Sequence, residues 1–264
     1  MNTPILISLP GWTITIIVFL LILLLNWLGF KYKLWEIKKN PDSEGDGLGP
    51  AEGSMLGFMA LLLAFTFNMA ATKFENRRDI IIEEANAIGT AILRCDMYPD
   101  SAKKIFRQNF AQYLEARIAY YDAGTDEKNI KTALHESDVY SGNIWKLASA
   151  LSQDRENIVR SGQMIPALNA MIDIVTTREN SRIAKVPPLI LWMLLLLTLV
   201  SSFLSGYAQK TKQRNRVMII AFALMTALTL YLIMELDRPR KGWITLDPAQ
   251  EKIVNLRQLL VEQK

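Results

Sequence analysis

Asn68 sits alone among apolar side chains in the run LLLAFTFNMAATKFENRR. An amide placed in hydrocarbon must find a partner, and two arrangements supply one. It either hydrogen-bonds to a neighbouring helix or faces a water-filled lumen. On a helix, Phe58, Leu62, Phe65 and Thr72 fall on the same side as Asn68. Several copies of that side around an axis would form a mostly apolar constriction with one polar ring, a construction that gates by dewetting. These five residues are the pore-lining candidates.

A second concentration of chemistry follows at once, in ENRRDIIIEEANAIGTA. Four residues after Arg77 and Arg78 stand Ile81 and Ile82, so neither arginine meets an acid at that spacing. The pairs that do form, Glu75–Asp79 and Asp79–Glu83, are like-charged and mildly repulsive. Glu83, Glu84 and Asn86 belong to the same segment, whose acids need cations from elsewhere. Arg178 or Arg182 of IDIVTTRENSR can supply them, on a helix where Asn169, Asp173, Thr176 and Thr177 line one face. The expectation is an antiparallel pair of helices with polar pairing at the membrane edge; a solvated charged face is the plainer alternative. Further along, MELDRPRKGW sets Glu235, Asp237 and Arg238 at another such edge. Salt bridging ranks above cation binding there, because the spacing matches no ion loop. No metal site and no cofactor is assigned.

Catalysis finds little to work with. The chain has one histidine, His135, in a polar run, and one cysteine, Cys95. Acid–base and nucleophilic catalysis both lack their usual constellations, so the chain does not read as an enzyme. Cys95 reads as a small buried apolar residue, and His135 as a surface residue.

The elements that carry these residues are helices. Half of the 264 residues are apolar, and four windows are long enough to cross a bilayer: Trp12–Phe30, Ser54–Thr72, Pro187–Ala208 and Val217–Leu236. None contains an acid or a base before Glu235. The first reads as a retained helix rather than a cleaved signal, since no basic residue precedes it and bulky, basic residues end it. Between the second and third windows, Phe74, Ile81, Ala85, Ile88 and Ile92 form an a/d seam that prolongs the second helix to about Cys95. Such a rod would be about 60 Å long, coupling a soluble bundle to the membrane. MYPD breaks it. A helix over about Ser101–Asp122 then presents Phe106, Phe110, Tyr113, Arg117 and Tyr121 on one side, and weaker patterns cover Ile130–Gln153 and Ile165–Lys185. The fold class is therefore all-α: a polytopic membrane protein with four transmembrane helices and a helical soluble bundle inserted between helices two and three. The expected segments are 1–73, with the first two membrane helices joined by a linker over Lys31–Gly53, 74–186 for the bundle, 187–236 for the last two membrane helices, and a tail, 237–264.

The net charge of +4 does not imply nucleic acid. Residues 74–185 carry 15 Lys/Arg against 16 Asp/Glu, and the basic surplus lies in KYKLWEIKK and QKTKQRNR beside the membrane windows. Clustered base at a bilayer edge sets topology and touches lipid headgroups. By that rule these two loops face the cytoplasm and the bundle lies outside. Arginines and lysines flanking the opposite face weigh the other way. Gly53–Gly57, Ser202/Gly206 and Ala223/Ala227 have spacings that allow close helix approach, within a protomer or between copies.

FTFNMAATKFENRRDIIIEEANAIGTAILR, PALNAMIDIVTTRENSR, VPPLI and LYLIMELDRPRKGWI, taken in order, closely resemble the bestrophin-like family of bacterial membrane proteins. The resemblance runs from helix two to Ile244. It implies similarity to bestrophins, pentameric anion channels whose second transmembrane helix lines the pore and whose helical domain is cytosolic. It therefore implies a homo-oligomeric ion channel in the bacterial inner membrane, in contact with lipid and inorganic ions, with the Phe65–Asn68 face toward the pore. The run of consecutive acids that forms the bestrophin calcium clasp is missing here, so calcium gating is not carried over. The alternative reading is a non-conducting scaffold or sensor whose bundle binds a protein partner.

Overall fold

The computed structural model describes residues 10–40, 50–209, 216–238, 240 and 242–261. Described residues form helices, short 3-10 turns and connecting segments, with no strand among them. In chain order the helices are α1 (Gly11–Lys39), α2 (Pro50–Arg94), α3 (Asp100–Asp122), α4 (Glu127–Ser152), α5 (Ile158–Ile183), α6 (Pro188–Ala208), α7 (Arg216–Asp237), α8 (Asp247–Asn255) and α9 (Arg257–Val261). Four stretches, Gly11–Lys39, Gly53–Met97, Arg155–Ala208 and Arg216–Asp237, include runs long and apolar enough to cross a membrane. They contain the four windows expected from hydropathy.

Helix boundaries follow the breakers. Pro50 opens α2 and Pro188 sits in the first turn of α6, positions where the missing N–H costs nothing. Asp126 caps α4, accepting from the backbone N–H groups of Lys128 and Asn129, after Gly124 turns the chain at a φ of +57°. α1 departs from expectation: residues 31–39, assigned to a linker, continue the helix. No breaker precedes Asn40, and the added turns are held from α6, where Tyr207 donates to Glu36 at 2.7 Å and Lys33 donates to the Gln209 carbonyl at 3.0 Å. At its other end that linker is also shorter than expected, residues 50–53 being the first turn of α2; residues 41–49 and most of QKTKQRNR lie outside the described residues. α5 also begins earlier than expected and keeps Pro166 inside it. Ser161 and Met164, both buried, anchor the added turn to the core.

Contacts divide the chain into two units, residues 1–73 with 185–238, and 74–184 with 239–264. α2 is unbroken across Lys73.

In the first unit the core is a layer of Ile14, Val18, Ile22, Met59, Leu63, Ala70, Leu194, Ala223, Leu230 and Ile233. α1 and α6 come closest. A Cβ added at Gly29 would lie 2.0 Å from the Phe203 carbonyl oxygen, and one at Gly206 would lie 2.0 Å from that of Asn26. Two glycines thus let the backbones touch, the device that replaces hydrophobic drive in lipid. Gly53 and Gly57 have open space where their Cβ would be.

In the second unit the a/d seam is realised: Ile81, Ala85, Ile88 and Ile92 are buried against Phe106, Phe110, Tyr113 and Leu114 of α3 and Met164, Leu168 and Met171 of α5. The C-terminal tail completes this core through Leu246, Ala249 and Ile253. Gly89, the lone glycine between Leu61 and Arg94, leaves room for Leu256, whose Cδ2 would stand 3.2 Å from an added Cβ.

Gly29→Val and Gly206→Val should each lower the thermal midpoint of the detergent-solubilised protein, by an overpacking cost of about 1–3 kcal/mol. Gly142→Ala, inside α4 with open space at its Cβ, should leave the midpoint unchanged or raise it slightly, by up to about 1 kcal/mol. Equal effects at the three positions would contradict the packing described.

Candidate functional site

The face of α2 that carries Asn68 is uncovered in the single chain. Phe58 and Phe65 are exposed, the latter by 63%, as are Leu61, Asn68 and Thr72. Leu62 departs from the group, partly buried against the core whose buried members on α2 are Met59, Leu63 and Ala70. The exposed stripe is therefore Phe58, Leu61, Phe65, Asn68 and Thr72, at spacings of 3, 4, 3 and 4. The Asn68 side chain makes no hydrogen bond to any described residue. The interhelical amide bond is found elsewhere, at Asn26, buried in α1, which donates to the Ser202 carbonyl at 3.4 Å and accepts from Gln209 at 3.5 Å. That partner was missed from sequence, although Asn26 is the lone amide in its own apolar window.

The polar residues expected at the membrane edge separate into several environments. Glu84 has no exposed surface. Its Oε1 accepts from Arg117 Nε at 2.6 Å and its Oε2 from Arg178 Nη1 at 2.5 Å. Arg178 Nη2 goes on to donate to Gln250 Oε1 at 2.8 Å. Burial alone would raise the Glu84 pKa, but the charges and hydrogen bonds of Arg178 and Arg117 outweigh it and hold the carboxyl below its ordinary 4.5. Arg77 ties down the end of α5: Nε donates to the Ser181 carbonyl at 3.1 Å and Nη2 to that of Ala184 at 2.6 Å. With Arg94 donating to the Gln163 carbonyl, these contacts run in opposite senses along α2 and α5, as an antiparallel pair requires.

Arg78 pairs with Asp79 in solvent. Glu83, Asn86, Asn169 and Asp173 are exposed and do not enter the buried network. The helix face drawn through Asn169 and Asp173 points outward because Leu168, Met171 and Ile174 take the core side. Arg182 binds Glu179 and Glu127 instead of an α2 acid. In the first unit Asp237 is buried and accepts the Val186 N–H at 2.9 Å. With Arg238 and Lys185 it lines a cavity of about 100 Å³ whose other walls are apolar, Ile14, Val18 and Leu191 among them. Glu235 is buried, with Oε1 set against the Gly11 backbone. Among the described residues no three His, Cys, Asp or Glu side chains gather as a metal site would require.

Sequence reasoning placed Arg117 on the aromatic side of α3 but gave it no role, and passed over Tyr120 and Gln250. Tyr120 is buried with three guanidinium groups around its ring, those of Arg117 and Arg240 at 4.6 Å and Arg178 at 5.1 Å. Its hydroxyl donates to Glu179 at 2.6 Å. The available signal was an arginine in register with Phe106, Phe110 and Tyr113, a position that demands a buried acid. Cys95 is buried, and burial pushes its thiol up to about 12; His135 is exposed.

Glu84→Gln should destabilise the folded chain by roughly 3–5 kcal/mol, since it strands two buried guanidinium groups. The folded-state pKa of Glu84 lies below the ordinary value. Its contribution is therefore complete above about pH 4.5 and is lost as pH falls through the folded value. Asp96 and Glu179 also sit low, burial opposing and their Arg107 and Arg182 partners prevailing. Thermal midpoints measured at acid pH should thus fall in both proteins, less steeply in Glu84→Gln. Identical slopes would remove Glu84 from the acid transition.

A sequence model of the bestrophin-like domain matches residues 49–250. No curated protein matches the chain. Among solved structures, a bacterial bestrophin homologue from Klebsiella pneumoniae superposes with a TM-score of 0.69 at 14% identity, covering 94% of this chain and 97% of that one. A mutant of the same homologue superposes with a TM-score of 0.70 at 14% identity, covering 99% of this chain and 98% of that one. At such identity the likeness is one of fold, and the family rests on the match over residues 49–250: this chain belongs to the bestrophin-like family.

Proposed function

We propose that the protein is a homo-oligomeric ion channel of the bacterial inner membrane, without catalytic activity, in which α2 lines the pore and the conducted ions are anions. One observation carries this reading: the Phe58–Leu61–Phe65–Asn68–Thr72 stripe of α2 is uncovered in the single chain, and its one amide lacks a protein partner there. An amide in a membrane helix is costly against lipid and is retained where it meets water or another polar group. A ring of copies meets both needs. It brings the phenylalanines to an apolar constriction and sets Asn68 beside permeating water. Open space at Gly53 and Gly57 supports the same arrangement, because small residues with nothing packed on them can take the backbone of a neighbouring copy. Pentameric assembly and anion preference are taken from bestrophins by analogy. A non-conducting scaffold would need the same stripe to close into a dry contact.

Purified protein reconstituted in liposomes under a chloride gradient should pass current, and Asn68→Leu should change the conductance without lowering the thermal midpoint. Silence from a well-folded oligomer across several ions and pH values would favour the scaffold. Unchanged current together with a lowered midpoint would put Asn68 in a helix contact instead of the lumen.

A further inference from the structure

Within the bundle, Arg117 is more completely buried than its partners can account for. Its side chain has no exposed surface, and only Nε is matched, by Glu84. Nη1 and Nη2 find no acceptor among the described residues, and neither does Nε2 of Gln250, a side chain 4% exposed. All three nitrogens are donors, and they belong to one connected chain of contacts, Arg117–Glu84–Arg178–Gln250. The Tyr120 ring attracts the Arg117 charge at 4.6 Å but offers no lone pair. Tyr113, also buried, spends its hydroxyl on the Met171 carbonyl at 3.5 Å.

Charge is out of balance in the same sense. Glu84 is the single acid between Arg117 and Arg178. Extending the count through Tyr120 adds Arg240 over its ring and Glu179 on its hydroxyl, then Arg182 and Glu127. Arg240 also lies over the Tyr121 ring, whose hydroxyl donates to Asp247, so the wider network balances at four against four and the imbalance is confined to the buried centre, where Arg117 and Arg178 share Glu84. Burying an unmatched cation with unmatched N–H groups is among the most expensive arrangements a protein interior can hold. A water molecule supplies lone pairs but no charge. A small anion supplies both.

We propose that this network is a binding site for a small inorganic monovalent anion of the halide class, held by Nη1 and Nη2 of Arg117 inside the charge field of Arg178 and Arg240. The site belongs to the second unit, shares no residue with the α2 stripe, and does not depend on whether the protein conducts. Its role is to complete the core. The anion would act as a buried structural counter-ion whose loss loosens the contact between α2, α3 and α5.

Thermal unfolding of the full-length protein in detergent, at constant ionic strength with gluconate exchanged for chloride or bromide, tests this. The wild-type midpoint should rise saturably, by about 5 °C at a hundredfold excess over Kd. Gln250→Glu adds the missing negative charge to the network. It should be insensitive to halide and, in gluconate, at least as stable as the wild type in chloride. A wild-type midpoint indifferent to halide would overturn the site, as would an equal halide response in Gln250→Glu, which would place the anion elsewhere. Should that variant fail to fold, crystals of the wild type grown in bromide decide the matter. An anomalous peak at Arg117 Nη1 and Nη2 is expected, and density there without anomalous signal would assign the position to water.

Discussion

A carboxylate with no exposed surface, clasped between two arginines, is the constraint around which the bundle is built. Glu84 cannot be desolvated alone, because moving an ion of that size into a low-dielectric interior costs far more than any single apolar contact returns. It must meet Arg117 and Arg178 at 2.6 and 2.5 Å, and meeting both sets α3 and α5 in register on α2. Arg178 then reaches Gln250, which brings the C-terminal tail into the same register. The apolar residues would tolerate small slips along the helix axes. The ionic contacts would not. Breaking such a network by removing one partner is costly, because it leaves a buried charge uncompensated, and this one joins three helices and a tail in one set of contacts.

The membrane unit solves its packing problem by other means. Lipid is as apolar as the helices, so burial of leucine against leucine offers little drive. Gly29 and Gly206 let α1 and α6 approach until backbone atoms touch, and Asn26 adds a hydrogen bond to the Ser202 carbonyl at the same crossing. α2 uses only one side, that of Met59, Leu63 and Ala70, for this unit. Its other side keeps phenylalanines, an amide and two unoccupied glycines. This division of labour along one helix underlies the proposed role of α2 around an ion pathway.

The likeness to a bestrophin homologue at 14% identity is intelligible in these terms. Four apolar helices and an amphipathic seam can be written in many residues, provided the period and the lengths are kept. The ion contacts and the close glycines are more local, and they set how the helices of each unit fit.

Reading the chain alone was enough for the number and type of its elements, since apolar runs of about 20 residues and a 3.6-residue period are properties of neighbours in sequence. The seam through Ile81, Ala85, Ile88 and Ile92 and the pairing of Arg178 with an α2 acid were legible for that reason. Which acid it would be was not. Glu83 and Glu84 are adjacent and chemically alike, and only the rotation of α2 in the folded bundle sends one to solvent and the other to the core. Asn26 and Asn68 pose the same problem: each is a lone amide in an apolar helix, and only the approach of α6 at Gly206 gives the first a partner and leaves the second exposed. Sequence determined that these polar groups would need partners, because desolvation is a property of the group itself. Tertiary structure decided which partners they have, because the distance between residues far apart in the chain is set by how the helices turn and pack.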